Sequence, residues 1–497
     1  MTNNDYFSDR SLVGYLRDNL DQYSFLLEES KDSLKSNLFD KLDNYPSPGA
    51  YPKVPRGYNI NKDRYVLDFQ NRYNFSILNA IDKDKDFIVL WQSLLKSSLM
   101  CLKSKDPGDV KDPDEKYGQQ DYGVKELSEY LDSFSHFEGL LYGSSRYYRD
   151  HLYHTLKVWL LGSYLMKSFL TKKAINGVTI YDIFTDVDER DEIVQLEKNP
   201  LCFDYNEFDS IWCIIALTHD LGYPLEKLPN INELIRKALP DFGTVNLQDF
   251  QYQLPIQNQF SYEYLLKFVS SRIETRWESS AKECILYTTH IQPKYYIKLL
   301  NSFEKMDHGI MSCILLMRQL IFFLESDFDY SSKSEGYFKT RDAKQFQIRR
   351  EILRSIASHT CDNIYHLRLN SLPFLLLICD EMQEWGRPKF GENILGEQDI
   401  IKVACRIFTT NCIKYDIHLW TGANREVYRD YWKLKVNRFR KLFRTAFDWK
   451  KRNFEFEVRM IIHEKYREKG FICTLRFNKR GEIKESEWKG RPKANNK

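Results

Sequence analysis

Residues 211–227 read IWCIIALTHDLGYPLEK, and the rest of the chain is best read outward from this stretch. An unbroken apolar run, Ile211 to Leu217, leads through Thr218 into His219-Asp220. A carboxylate at the end of a buried element needs compensation, because burying an unpaired charge costs several kcal/mol. A divalent cation supplies it. The alternative is an aspartate that caps the next segment beside a core histidine. A second apolar run, LPFLLLICD, ends on Asp380 in the same manner. His154 lies within YYRDHLYHTLKVWLLGSYLMKSFL (147–170), whose apolar residues recur at helical spacing. His308 opens the periodic tract 309–326, and His359 closes the tract 345–358. Imidazoles and carboxylates at the ends of several buried helices converge naturally on one metal centre. A histidine-rich set completed by carboxylate suits Mn, Fe, Co, Ni or Zn better than Mg alone.

The ordered set His154, His219-Asp220 and Asp380 resembles the H…HD…D signature of the HD phosphohydrolase superfamily. HDLGYPLEK resembles its HD turn, YHTLKVWLLG its first metal-binding helix, and LLLICDEMQEWGRP the helix that carries its last Asp. The resemblance covers roughly residues 145–395, about half the chain. It implies an all-helical core around a metal held by His154, His219, Asp220 and Asp380. It also implies attack of water, acidified by the metal, on phosphorus, with Asp220 bridging or orienting that water. In the binuclear phosphodiesterases of the superfamily, extra histidines lie between the HD pair and the last Asp. His308 and His359 occupy such places and would complete a second metal's ligand set. In its dNTP triphosphohydrolases the site is usually mononuclear and such histidines serve catalysis, so Asp220, His308 and His359 are the catalytic candidates. MDHGIMSCILL and HTLKV are similar to segments of those enzymes, which often carry Arg three residues before the first His. Here that position is His151, with Arg149 two residues further back.

Substrate contacts are sought among nearby cations and histidines. Lys227, seven residues after Asp220, is placed to neutralise a phosphate, and Arg149 and Arg387 are phosphate-binding candidates. His151, one turn before His154, and His290, on the presumed insertion, are candidates for the cleft. For each, the competing reading is a structural ion pair, a solvated cation or a packed histidine. His366 reads as core. His136, His418 and His463 read as structure or surface. The basic run 436–454 reads as an amphipathic helix with a solvated face.

Composition bounds the rest. The chain has 497 residues, with 73 Lys+Arg against 70 Asp+Glu, so no global charge marks a nucleic-acid coat or a membrane-surface protein. Aromatic residues make up 15% beside only 21 Gly, which favours packed helices over a disordered or Gly-punctuated chain. The ten cysteines include no CxxC pair and sit mostly in apolar runs, so they read as core residues of a reducing compartment. No apolar stretch approaches the ~20 residues of a membrane span, and the polar N-terminus lacks a secretory h-region. The expectation is therefore a cytoplasmic, mainly α protein in three parts. These are an N-terminal helical region (1–140), an HD-type core (141–395) with a lobe inserted at about 224–300, and a C-terminal helical and α+β appendage (396–497). Residues 171–209 and 327–344 read as loops, and 261–304 as helical.

The expected activity is metal-dependent hydrolysis of a nucleotide substrate, led by a dNTP triphosphohydrolase in bacterial defence or nucleotide control. The alternatives are a binuclear phosphodiesterase on cyclic or oligonucleotides, a non-catalytic nucleotide sensor, and a metal-dependent nuclease. The expected partners are the nucleotide and a homo-oligomer, with no membrane and no strong sign of nucleic acid.

Overall fold

A computed structural model of the chain describes residues 7–43, 83–104, 122–144, 150–170, 172–175, 178–181, 201–238, 259–279, 284–324, 338–361, 364, 370–386, 400–421, 425–445, 454–464, 471–477 and 483–489. These are mainly helical. The α-helices longer than four residues are α1 (Asp9–Asp18), α2 (Glu28–Leu34), α3 (Ile88–Ser104), α4 (Val124–Ser144), α5 (Leu152–Phe169), α6 (Tyr205–Thr218), α7 (Tyr223–Ala238), α8 (Gln259–Ser270), α9 (Pro293–Glu304), α10 (His308–Gln319), α11 (Thr340–Thr360), α12 (Leu372–Met382) and α13 (Arg425–Thr445). No described helix is long and apolar enough to cross a membrane.

The apolar run quoted above becomes α6, the axis of the helical core. Its start is set by a capping box: Asp204 accepts from the Glu207 N–H at 2.9 Å and Glu207 accepts from the Asp204 N–H at 2.6 Å. Every residue from Glu207 to Thr218 is buried, against α3, α5 and α11. Two tryptophans pin it: Trp91 Nε1 donates to Leu217 O at 3.0 Å, and Trp212 Nε1 donates to Trp159 O at 3.1 Å. Both indoles thereby satisfy a polar atom that burial would otherwise leave costly.

α11 is polar in sequence yet buried along most of its length, and its arginines explain how. Arg349 Nε donates to Phe322 O at 2.6 Å, Arg354 Nε to Val269 O at 2.8 Å, and Arg350 Nη1 to Ser271 O at 3.3 Å. Each guanidinium meets backbone carbonyls at a helix end, where no intrahelical donor remains.

The strands depart from expectation. Residues 171–209, read as a loop, contain the hairpin of β1 (Lys172–Ile175) and β2 (Val178–Tyr181) and the start of α6. The helical tract expected over 261–304 is broken by β3 (Ser271–Ser279) and β4 (Cys284–Ile291), which pair antiparallel. Ile273, Thr275 and Trp277 alternate with polar residues there, a period-2 signal hidden between two helices. The tract read as a loop over 327–344 includes β5 (Phe338–Lys339), which pairs with β4, and the start of α11. The Pro-bearing insertion begins as helix α7: Pro224 sits in its first turn, where a missing N–H costs nothing, and Pro229 lies inside it.

The C-terminal part carries five strands, where two or three were expected: β6 (Ile400–Thr409), β7 (Cys412–Thr421), β8 (Glu455–Glu464), β9 (Phe471–Phe477) and β10 (Ile483–Lys489). They form one sheet in the order β10-β9-β8-β7-β6, antiparallel except for β7–β8, the pair that α13 connects. Phe439 and Phe443 of α13 pack on Phe456 and Phe477 of the sheet, with ring centroids 4.2–4.9 Å apart.

Candidate metal centre

Five elements deliver the cluster. His154 projects from the first turn of α5, and His219-Asp220 follow the last residue of α6. His308 is the first residue of α10, His359 lies in the last turn of α11, and Asp380 lies in the last turn of α12. All but His308 and Asp380 are buried, and those two are mostly so.

Asp220 is the hub. Its Oδ2 lies 3.4 Å from His219 Nε2 and 3.9 Å from His154 Nε2. Its Oδ1 lies 3.3 Å from His308 Nε2 and 3.7 Å from His359 Nε2. His154 Nε2 also meets Asp380 Oδ1 at 2.9 Å, and the Nε2 atoms of His308 and His359 are 3.1 Å apart. The ligand atoms of His154, His219 and Asp220 all lie within 4.8 Å of one another, and so do those of Asp220, His308 and His359. Two triads thus share one carboxylate.

The far side of each ring shows why these nitrogens face inward. His219 Nδ1 donates to Ala216 O at 2.9 Å and His359 Nδ1 to Ile356 O at 2.6 Å. His154 Nδ1 meets Gln383 Oε1 at 2.6 Å, an amide orientation set by Gln383 Nε2 donating to Trp385 O at 2.7 Å. His308 Nδ1 donates to Glu226 Oε2. A carbonyl only accepts, so the Nδ1 atoms of His219 and His359 carry the proton and their Nε2 atoms turn lone pairs toward carboxylate oxygens. Lone pairs face anions stably only when a cation lies among them. His219 Nε2 is buried with no hydrogen-bond partner among the described residues. A proton does not serve there, because burial pushes the His219 pKa down. A metal ion does, and outer acceptors on Nδ1 are the usual support of histidine ligands. Nitrogens adjacent around one cation, each at ~2.0–2.1 Å from it, stand about 3 Å apart, close to the 3.1 Å between His308 and His359. The donor set therefore fits a metal ion.

Electrostatics in the protein alone agree. Burial works to raise the Asp220 pKa, but His219, His308 and His359 hold it well below the usual carboxylate range. Burial likewise opposes ionised Asp380, which His154 and Arg438 keep well below that range. Burial opposes protonated His308, yet hydrogen bonds to Asp220 and Glu226 push its pKa up to about 9.

Two glycines allow the close assembly. A Cβ on Gly222 would meet Met311 Cβ and Ser312 N at 2.6 Å, so the turn after Asp220 can lie on α10 only without one. Ser312 ties that contact, accepting from the Gly222 N–H at 2.8 Å and reaching His219 O at 2.8 Å. A Cβ on Gly309 would meet Ile356 O at 2.5 Å and Thr360 Oγ1 at 2.7 Å, so Gly309 lets α10 approach α11.

Of the expected substrate contacts, Lys227 is beside the cluster. Its amine is paired with Glu226 and lies 4.5 Å over the Tyr223 ring. His151 is buried at the start of α5 and stacks on Tyr223 at 3.7 Å. His290 is exposed on β4, 3.5 Å from Glu274 of the neighbouring strand. Arg149, Arg387 and His366 lie outside the described residues.

Three functional groups were not anticipated. Glu226 sits in the segment read as an inserted lobe, and Gln383 on the polar end of an apolar helix. Arg438 belongs to the basic run read as a solvated face. Its Nη2 donates to Asp380 Oδ2 at 3.1 Å, and its Nε pairs with Glu381. The only sequence signal for Glu226 was its place six residues past the HD pair. For Arg438 there was none. No protein-family model, curated protein or solved structure matches the chain.

Proposed function

We propose that the chain is a metal-dependent phosphohydrolase of the HD type that acts on a nucleotide phosphodiester with two cations. The observation that carries this reading is the sharing of Asp220 by two triads whose four imidazoles all turn Nε2 inward. His154, His219, Asp220 and Asp380 would hold one cation, and Asp220, His308 and His359 the other. Once bound, such cations supply Lewis acidity toward a phosphoryl oxygen and acidify water.

The chain's own residues supply the rest. Glu226, Gln383 and two backbone carbonyls fix the ring orientations, so the site needs little reorganisation. Lys227, beside Glu226, adds positive charge at the rim of the His308 side. Tyr223, stacked on His151 and edge-on to His308 at 5.2 Å, forms an aromatic wall there.

One observation favours a second reading. Glu226 on His308 Nδ1 also suits a protonated imidazole, which could donate from Nε2 to a leaving oxygen. With one cation at the His154 side, that arrangement fits a dNTP triphosphohydrolase. Incubation with Mn and a panel of NTPs, dNTPs and cyclic dinucleotides, with products resolved by chromatography, separates the two. Diester cleavage with two Mn per chain supports the first; triphosphate release with one Mn supports the second. Failure to retain any divalent transition metal after dialysis would reject both.

A further inference from the structure

The cluster is rich in carboxylate, and its neighbourhood must still attract a phosphate. Among the described residues, Lys227 reaches it through Glu226, and Arg438 reaches it directly on Asp380. Arg438 comes from α13, the helix that packs on the C-terminal sheet. The two cations of α13 that touch α12 are placed differently. Lys435 is buried and wholly engaged, contacting Glu381 O at 3.2 Å, Glu381 Oε2 at 2.8 Å and Glu384. It suffices to dock α13. Arg438, three residues on, keeps 57% of its side chain exposed. Its Nε and Nη2 hold Glu381 and Asp380, while Nη1 makes no bond among the described residues. A guanidinium carries five N–H donors in a planar fork, so at least two remain for an outside acceptor. One carboxylate separates that fork from the His154 ring, since Asp380 gives Oδ2 to Arg438 and Oδ1 to His154.

We infer that Arg438 is a substrate-phosphate contact of the centre, so the C-terminal unit completes the substrate site. The Nη1 edge would bind an oxygen of a phosphate monoester or diester group while Nε and Nη2 stay on Glu381 and Asp380. The inference rests on the metal-centre reading above. It places the substrate's charged end at the seam between α12 and α13, on the Asp380 side of the cluster and away from Lys227.

The test uses the full chain loaded with Mn and inorganic phosphate as probe. Bound Mn per chain, phosphate Kd and Tm are measured for the wild type, Arg438→Ala, Arg438→Gln and Arg438→Lys. The amide of Arg438→Gln keeps a donor for Asp380 and Glu381, which guards against loss of docking. The expected result is a loss of phosphate affinity of tenfold or more in the Ala and Gln variants, partial recovery in the Lys variant, and unchanged Mn content. Wild-type phosphate affinity in the Ala and Gln variants would overturn the inference and leave the metal centre standing. A wild-type chain that binds no Mn would overturn both.

Discussion

Gly309→Ala tests whether the two triads are separate half-sites. The added Cβ would fall 2.5 Å from Ile356 O, 2.7 Å from Thr360 Oγ1 and 3.0 Å from His359 Cε1. Ordinary contact begins at 3.4 Å, so α10 must retreat from α11 by about 0.9 Å. His308 is the adjacent residue and moves with the helix, so its 3.1 Å approach to His359 widens to about 4 Å. Metal ligands tolerate errors of about 0.2 Å. The His308–His359 half-site should therefore lose affinity by at least 100-fold. The His154 half-site lies on α5, α6 and α12 and should persist. Overpacking of this kind costs about 1–3 kcal/mol, which lowers Tm by several degrees. The assay is metal content per chain after dialysis against Mn, with Tm read in parallel. Two equivalents are expected in the wild type and one in the variant. Gly14→Ala is the control, because nothing lies within 4 Å of a Cβ there. A variant that keeps both equivalents refutes the argued role of Gly309, and one that loses both refutes the independence of the half-sites.

Asp220→Asn should abolish binding at both half-sites, since the shared oxygens are those of Asp220; metal content near zero is the expected reading, and retention of one equivalent counts against the bridging role. Saturating metal should raise Tm, with each site contributing about 2.7 kcal/mol at 100 times its Kd, and chelator should reverse the shift. The metal-free protein should lose stability as pH rises. Its His308 pKa lies above the ordinary 6.5, at about 9, so the protonated ring's contribution is full below pH 6.5 and lost as pH passes 9. Denaturant titrations from pH 6 to 10 should show that slope, and Glu226→Gln should flatten it; an unchanged slope in the variant removes Glu226 from the cause. Lys167→Met should be strongly destabilising, by about 3–5 kcal/mol, because it removes the cation that lies 2.7 Å from the buried Asp209 carboxylate.

The parts of the site that were legible from sequence share one physical origin. His154, His219-Asp220, His308, His359 and Asp380 all sit at or near the ends of helices with a buried apolar face, where a polar group has no reason to be buried unless something compensates it. That argument is local and needs no tertiary contact. Glu226 escaped it because Pro224 and Pro229 mark turns in most contexts, and only a first-turn position makes Pro224 compatible with helix α7. The hairpin β3–β4 escaped because a short alternating tract between two helices carries little periodic signal, and packing rather than propensity decides it. The five-stranded sheet was half seen: the alternation of β8 and β9 was read, while that of β7, where Ile413, Tyr415, Ile417 and Leu419 alternate with Lys414, Asp416 and His418, was passed over, and β6 mixes apolar residues with Lys402 and Arg406 in no clear period.

Arg438 marks the limit of that local reasoning and changes how the C-terminal unit is understood. Its partner Asp380 is 58 residues away in sequence, and the basic helix around it looks like any solvated amphipathic helix. Only the packing of α13 against α12 turns one of its cations toward the metal centre. The acidic end of α12 explains why that packing holds. Asp380, Glu381 and Glu384 crowd a helix C-terminus, where the helix dipole makes negative charge unfavourable, so cations from outside are needed there. Lys435 and Arg438 meet that need, and Asp380 is at once a member of this acidic cluster and of the metal centre. A sheet unit that looked peripheral is thereby tied electrostatically to Asp380 and, through it, to His154 of the candidate metal cluster. Displacing α13 would take both Lys435 and Arg438 from the buried Glu381 carboxylate, a cost of several kcal/mol. The C-terminal unit therefore adds Arg438 to His154, the larger influence, in keeping the buried Asp380 ionised.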